Sequence, residues 1–209
     1  MITLSFPIAK SSFEELTGFG GPKQNQTITF TALSAKTFGD PTFALSATSS
    51  SGLTVNYASS NTAVATVSGN TVTIVGAGSS TITASQSGNI NFNAAPDVTQ
   101  TLTVSKASQS ITFSALSDKT VSDAPFSLAA TASSGLSVSY STTSSKLTIS
   151  ANQVTLINAG RATITASQAG NTNYNPAPSV DQSFCINPAT PTVRKGPYGE
   201  TVTLTAIIS

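Results

Sequence analysis

The sequence predicts an all-β protein made of two antiparallel β-sandwiches in tandem, with about seven strands each. The stretch TVTIVGAGSSTITASQSGNINFNAAP at residues 71–96 returns as QVTLINAGRATITASQAGNTNYNPAP at residues 153–178. The glycine of its Ala-Gly break recurs 82 residues later, from Gly78 to Gly160. Such a fixed period indicates repeated structural units. Within each copy, Thr and Ser alternate with apolar residues, as in half-buried strands. Turn-forming residues recur about every 8 to 12 positions, as in sandwiches.

The composition excludes several classes of protein. Nine basic and eight acidic residues give a net charge of +1. This charge is too small to attract nucleic acid or an anionic membrane, so we expect no nucleic-acid partner and no membrane insertion. Ser and Thr make up about a third of the chain, but 38% hydrophobic and 8% charged residues do not fit disorder. With one cysteine, Cys185, no intrachain disulfide framework is expected.

The localisation expected from the composition is extracellular. Abundant Thr, Ser and Asn with few Lys, Glu and Cys favour this placement. The opening MITLSFPIAK has neither a basic n-region nor a long apolar h-region, so no signal peptide is identified in this chain. Export would then be specified elsewhere in a longer chain, or the protein would leave the cell by another route, such as inside a virion.

The repeat divides the chain into four predicted parts. Residues 1–22 form an N-terminal arm and linker, 23–105 the first sandwich, 106–187 the second, and 188–209 an incomplete third module or an assembly strand. The arm has alternating Ile2, Leu4 and Phe6 and ends in a glycine-rich break. The junction at residues 104–109 has no Gly or Pro, which predicts limited bending there.

Strands of the first sandwich are predicted in order from alternation and turn residues. The strongest hairpin signal is Gly69 with Asn70, which separates NTAVATVS from TVTIV. In the second sandwich one residue is lost between Thr142 and Asn152, and Ala151 takes the place of the glycine. Because alanine tolerates positive φ poorly, that hairpin is expected to be looser or differently registered.

The tail GPYGETVTLTA, residues 196–206, resembles the first turn and second strand of a module. A lone strand pair cannot bury its apolar face. The apolar residues Val202, Leu204 and Ile207 therefore need a partner, and they are the candidate assembly strand.

The run YASSNTAVATVSGNTVTIVGAGSSTITAS at residues 57–85 resembles bacterial immunoglobulin-like domains of the group 2 type. The family pattern is an aromatic residue, Ser-Ser-Asn, Val-Ala-Thr-Val, a turn, a strand, a glycine and Thr-Ile-Thr-Ala. The second copy keeps Tyr140, Asn152 and Gly160 but has KLTI in place of VATV. The resemblance covers about residues 23–187 and implies tandem immunoglobulin-like sandwiches that serve as spacers or adhesin tips. The tail resembles the start of another immunoglobulin-like repeat group.

Two Asn-rich loops are the main candidate ligand site. The first Asn loop (residues 89–93) and the second Asn loop (residues 171–175) each surround one aromatic residue with amides, an arrangement that suits sugars. Equally, Asn side chains bond to their own loop backbone while the aromatic residue covers the core. The candidate ligand residues are Asn89, Asn91, Phe92, Asn93, Asn171, Asn173, Tyr174 and Asn175.

Other candidate groups favour structural roles. Gly78 and Gly160 fit sharp turns and, with no helix after them, do not form a phosphate cradle. Asp40 and Asp123 occupy equivalent turns, with Asp118 near the second. Calcium needs six to eight oxygens, so only a site assembled between modules would hold it. No other cofactor is expected.

No catalytic residue is identified. Cys185 is expected to point outward beside the inward Phe184, and a catalytic thiol needs a base that a chain without His does not offer. Intermolecular coupling is the other role open to Cys185. Glu14 and Glu15 are adjacent, face apart in a strand and do not form a glycosidase pair.

These observations lead to a non-enzymatic extracellular spacer or stalk of a bacterial surface or adhesin-like protein. The first alternative is a subunit of a surface filament or virion that assembles by β-strand addition through the unmatched termini. The second is carbohydrate binding by the Asn loops. The expected partners are other immunoglobulin-like modules of the same chain, identical subunits, and surface glycans.

Overall fold

The computed structural model describes residues 21–190, in which all regular secondary structure is β-strand. Two compact units are present. The first contains the described residues up to Ala107 together with Asn171–Tyr174, and the second contains Ser108–Gly170 and the described residues from Asn175 onward. The domain limits 23–105 and 106–187 stay a prediction. The first twenty residues of the predicted arm, the Glu14 and Glu15 pair and the candidate assembly strand lie outside the described residues.

The same nine strands occur in each unit in the same order. Those of the first unit are β1 (Ile28–Phe30), β2 (Lys36–Thr37), β3 (Phe43–Ala44), β4 (Ala47–Ser49), β5 (Asn56–Ser59), β6 (Ala65–Ser68), β7 (Thr71–Ile74), β8 (Gly78–Ser85) and β9 (Val98–Ser105). Those of the second unit are β10 (Ile111–Phe113), β11 (Lys119–Thr120), β12 (Phe126–Ser127), β13 (Ala130–Ala132), β14 (Ser139–Ser141), β15 (Leu147–Ser150), β16 (Gln153–Leu156), β17 (Gly160–Ser167) and β18 (Val180–Asn187).

Each unit is a two-layer sandwich. In the first unit, one layer contains the pair β1–β4 and the sheet β3–β7–β6, and the other is the sheet β2–β9–β8–β5. All pairings are antiparallel except β2 with β9. The second unit repeats this arrangement, again with one parallel pair, β11 with β18. The all-β sandwich prediction is confirmed.

Nine segments correspond to the seven predicted strands because two strands are interrupted. The first strand pairs with β4 as β1, then changes layer and pairs with β9 as β2. The Phe30 carbonyl at that crossing accepts a hydrogen bond from Gln100 Nε2 at 2.7 Å. The second strand is interrupted between β3 and β4, where the Ala47 amide donates to the Tyr57 hydroxyl at 2.7 Å. Side chains thus satisfy backbone groups that no neighbouring strand reaches.

The core of each unit lies between its two layers. In the first unit Val72, Ile82 and Leu102 have no exposed surface, and in the second Val154 and Ile164 have none. Burying a side chain of this size contributes about 1.5–3 kcal/mol to the free energy of folding. Along β8 and β9 buried residues alternate with less buried ones, as predicted from the Thr and Val alternation.

The structure places the one-residue deletion of the second repeat in the loop between β14 and β15. Thr142 is equivalent to Ser59 at the end of β5, and each hydroxyl bonds within its own unit. The following loop has residues 60–64 in the first unit and residues 143–146 in the second. The same strands therefore pair in both units, and only the ladder of β14 with β17 is shorter, with three residue pairs against four for β5 with β8.

The expectation of a different register in the second hairpin is wrong. Ser68 pairs with Thr71 across Gly69 and Asn70, and Ser150 pairs with Gln153 across Ala151 and Asn152. Both turns have two residues because Ala151 adopts φ 54°, close to the 58° of Gly69. Ala151 is the one described non-glycine residue with positive φ. The ladder fixes the register, and the alanine bears the conformational cost, about 1 kcal/mol.

We predict that Ala151→Gly raises the free energy of unfolding of the second unit by about 1 kcal/mol, because glycine adopts positive φ without a steric penalty. The equivalent change Gly69→Ala should lower that of the first unit by about 1 kcal/mol. No atom lies within 4 Å of an added Gly69 Cβ, so that change tests φ alone.

Urea denaturation of the full chain measures both changes. The control is Ala58→Gly, at an exposed position of β5, which should destabilise because it only adds backbone freedom. A loss of stability in Ala151→Gly would contradict positive φ at Ala151.

Candidate functional site

The first Asn loop lies between β8 and β9 and is folded by the side chain of Asn89. Asn89 Oδ1 accepts hydrogen bonds from the amides of Asn91 at 2.8 Å and Phe92 at 2.9 Å. The Asn89 amide donates to the Phe92 carbonyl at 3.0 Å. An Asn side chain that bonds to amides two and three residues ahead fixes a tight turn. Asn89 thus has a structural role in the loop.

The second Asn loop has the same geometry. Asn171 Oδ1 accepts from the amides of Asn173 at 2.8 Å and Tyr174 at 2.9 Å, and the Asn171 amide donates to the Tyr174 carbonyl at 3.0 Å. The distances match those of the first loop. The backbone of the loop is therefore determined by its own sequence.

A buried pair of glutamines holds the first loop to the core. Gln26 and Gln86 are 3% and 8% exposed. Gln26 Nε2 donates to Gln86 Oε1 and to the Asn93 carbonyl, each at 2.7 Å, and Gln26 Oε1 accepts from the Ser51 hydroxyl. Gln86 Oε1 also accepts from the Gly88 amide, at 2.5 Å. Every polar atom of this buried network within residues 21–190 has a partner, as buried polar groups require.

The second unit repeats the glutamine network. Gln109 Nε2 donates to Gln168 Oε1 and to the Asn175 carbonyl, each at 2.7 Å, and Gln109 Oε1 accepts from the Ser134 hydroxyl. None of these four glutamines was predicted to be buried or to hold a loop. The signal that would have found them is their recurrence at equivalent positions, 26 with 109 and 86 with 168.

The other side chains of the first Asn loop differ in their surroundings. Asn93 Nδ2 donates to Asn25 Oδ1 at 2.9 Å. Phe92 is half-buried, and its backbone forms a bridge with Gln24. Asn91 is exposed. The structure thus assigns Asn89 and Asn93 to the loop's own fold, while ligand binding by the loop residues stays a prediction.

Residues Asn171–Tyr174 of the second loop belong to the first unit and contact it through their side chains. Asn173 Oδ1 accepts a hydrogen bond from the Ala77 amide at 2.9 Å. The Tyr174 ring packs edge-on against Phe38, with ring centroids 5.4 Å apart and an interplanar angle of 82°. A Cβ at Gly76 would lie 2.6 Å from the Ala63 carbonyl oxygen and 3.2 Å from Asn173 Oδ1. Glycine is therefore needed at position 76 for the close approach of the Ala63 carbonyl and the Asn173 side chain.

The glycines and aspartates singled out from the sequence lie outside the two Asn loops. Gly78 and Gly160 have φ 142° and 136°, as their predicted role requires. Asp40 and Asp123 Oδ2 accept from the amides of Thr37 and Thr120, each at 2.9 Å, so the two turns are equivalent. Among residues 21–190 no three His, Cys, Asp or Glu side chains form a metal-binding group. Calcium between modules stays a prediction.

Cys185 is a free, exposed cysteine on β18, beside the buried Phe184, as predicted. Its amide donates to Asp118 Oδ1 at 2.8 Å. Asp118, near the turn of Asp123, thus accepts a hydrogen bond from the last strand, β18. No role of the thiol follows from these contacts.

No family model and no curated protein matches the chain. Among solved structures it is similar to mouse cadherin-23 EC22-24, with 12% identity over 78% of this chain and 64% of that chain and a TM-score of 0.35. The D00-D0 domain of intimin matches at 16% identity over 75% of this chain and 98% of that one, with a TM-score of 0.30. The S-layer protein rSbsC(31-844) matches at 12% identity over 82% of this chain and 29% of that one, with a TM-score of 0.31.

The strand order identifies the fold independently of these similarities. A layer formed by the first, second, fifth and fourth strands, facing a layer of the third, sixth and seventh, is the immunoglobulin arrangement. Each unit has an immunoglobulin-like fold. Within residues 21–190 no helix is long and apolar enough to cross a membrane.

We predict that Gln26→Ala lowers the free energy of unfolding of the first unit by about 2–3 kcal/mol, because buried groups lose their partners. The Asn93 carbonyl and the Ser51 hydroxyl are the groups affected. Urea denaturation measures the loss, and hydrogen exchange should show faster exchange at residues 88–93.

The matched variant Gln109→Ala should have the same effect on the second unit, with faster exchange at residues 170–175. Equal exchange in both Asn loops of Gln26→Ala would contradict the role of this network.

Proposed function

We propose that this chain is a non-catalytic extracellular spacer, part of a stalk of a bacterial surface or adhesin-like protein. The observation that carries the proposal is that both units use equivalent side chains for the same structural contacts. These include the glutamine networks, the turns made by Asn89 and Asn171, and the tyrosine hydroxyls that bond to Ala47 and Ala130. Within residues 21–190 the two units thus fold by the same side-chain contacts, which suits a structural module that occurs in several copies.

The resemblance to group 2 bacterial immunoglobulin-like domains supports the same proposal at the level of sequence. The pattern that carries it includes the aromatic Tyr57, the glycine of the break and the Thr-Ile-Thr-Ala strand. In the structure the Tyr57 hydroxyl accepts a hydrogen bond from the Ala47 amide, where the second strand is interrupted. Thr81–Ala84 lies within β8, which pairs with β5 on one side and β9 on the other. The residues of the pattern thus build the fold, and a spacer needs no more from them.

A spacer must withstand tension between its ends. When the chain is pulled by its termini, we expect two unfolding events, each with an increase in contour length of roughly 25 nm for a unit of about 80 residues. Gln26→Ala should lower the force of one event and Gln109→Ala the force of the other. Extension without two separate events would contradict the proposal.

The alternative of carbohydrate binding is tested by a glycan array. The spacer proposal predicts that the chain binds no glycan more strongly than the double variant Phe92→Ala/Tyr174→Ala, since the Asn side chains that fold the loops are already bonded. Binding by the chain that the double variant loses would contradict the spacer proposal and favour a lectin.

A further inference from the structure

The backbones of the two Asn loops form the same turn, but the side chains two and three residues after Asn89 and Asn171 have different surroundings. Asn173 and Tyr174 in the second loop contact Ala77 and Phe38 of the first unit. Their equivalents in the first loop, 82 residues earlier, are Asn91 and Phe92. Among residues 21–190 the side-chain amide of Asn91 makes no hydrogen bond, although its backbone amide donates to Asn89, and the Phe92 ring has no aromatic partner.

The surface around Asn91 and Phe92 is suited to a partner. The two side chains line an open groove with Gly21, Pro22 and Gln24. Beside them Ile90 is 69% exposed, the most exposed of the large hydrophobic residues described. An amide group able to accept a hydrogen bond, next to an aromatic ring and an exposed aliphatic side chain, offers polar and apolar contacts together.

We infer that Asn91 and Phe92 form a docking surface for a further immunoglobulin-like unit. That unit has the two features by which the first unit contacts Asn173 and Tyr174. One is an aromatic ring in the turn after its second short strand, as Phe38 is, and the other is a free backbone amide after a glycine, as at Ala77. Asn91 Oδ1 accepts from that amide, and the Phe92 ring packs on that aromatic residue. The inference rests on the proposed spacer function and specifies the partner as another repeat.

A second copy of this chain does not supply these features. In each copy Ala77 and Phe38 already contact Asn173 and Tyr174. The equivalent positions of the second unit carry Asn158 in place of Gly76 and Val121 in place of Phe38. Asn158 carries a Cβ at the position where a Cβ on Gly76 would lie 3.2 Å from Asn173 Oδ1, and Val121 offers no ring. The partner is therefore a separate unit with the Gly-Ala sequence and the aromatic residue.

The chain has no tryptophan, so a single introduced Trp reports its own surroundings. In Phe92→Trp the emission maximum and acrylamide quenching are measured in two proteins: the full chain, and a full chain in which residues 23–105 are duplicated in tandem. In the second protein the Trp lies in the second copy, behind an added unit. Tyr174→Trp in the full chain is the shielded reference, and Ile90→Trp is the exposed one.

In the full chain we expect Phe92→Trp, at a half-buried position, to be more accessible to acrylamide than Tyr174→Trp and less accessible than Ile90→Trp. In the duplicated chain its emission and quenching should shift to those of Tyr174→Trp. Gly76→Asn in the added unit should abolish the shift, whereas Gly69→Ala there, which is remote from the contact, should preserve it. An unchanged Phe92→Trp signal in the duplicated chain would overturn the inference, as would exposure of Tyr174→Trp.

Shielding of Phe92→Trp in the full chain equal to that of Tyr174→Trp would also overturn the inference. If it increases with protein concentration, the occupant is a second copy; if it does not, the occupant is the chain's own N-terminal segment. None of these results depends on the force and glycan experiments, so failure here is distinguishable from failure of the spacer proposal.

Discussion

Seven consecutive residue pairs join β8 to β9, from Gly78 with Val104 to Ala84 with Val98, and β17 and β18 are joined in the same way. The other strands of that layer depend on this ladder, since β5 pairs with the outer edge of β8 and β2 with the outer edge of β9. A slip of one residue would turn Ile82 and Leu102 from the core to the solvent. The ladder therefore determines which residues are buried and where the Asn loop begins and ends.

A long loop at the end of such a ladder needs support from the core, because its backbone groups cannot pair with strands. Gln86 follows directly on β8 and Gln26 precedes β1, so their contact joins the loop to both layers. A buried polar network of this kind stabilises only when all its members are bonded. The bonds to Ser51, Gly88 and the Asn93 carbonyl meet this condition. The glutamine network thus holds the backbone of the loop to the core.

The sequence was sufficient for features that depend on neighbouring residues. The hairpin at Gly69 was predictable because a two-residue turn needs positive φ, and the strands from their alternation. The register at Ala151 was not, because ladder pairing outweighed an unfavourable φ of about 1 kcal/mol. The burial of Gln26 was not predicted, although the alternation places it on the same face as Ile28 and Phe30, because glutamine is mostly exposed in proteins and its partner Gln86 is 60 residues away.

The two Asn loops form equivalent turns but do not make equivalent contacts with residues far away in the sequence. Their turns were predictable because Asn89 and Asn171 act on amides two and three residues ahead. The contacts of Asn173 were not, because they depend on Gly76 and Ala77, almost a hundred residues earlier.

At these receiving positions the two repeats diverge, with Phe38 and Gly76 in one and Val121 and Asn158 in the other. Buried core residues are retained between the two units, as at Val72 and Val154 or Ile82 and Ile164. Had the repeats diverged at random over their surfaces, the loop residues would have changed as well, yet both loops keep an amide followed by an aromatic ring. The two repeats are therefore alike at the loop residues and differ at the positions that Asn173 and Tyr174 contact in the first unit.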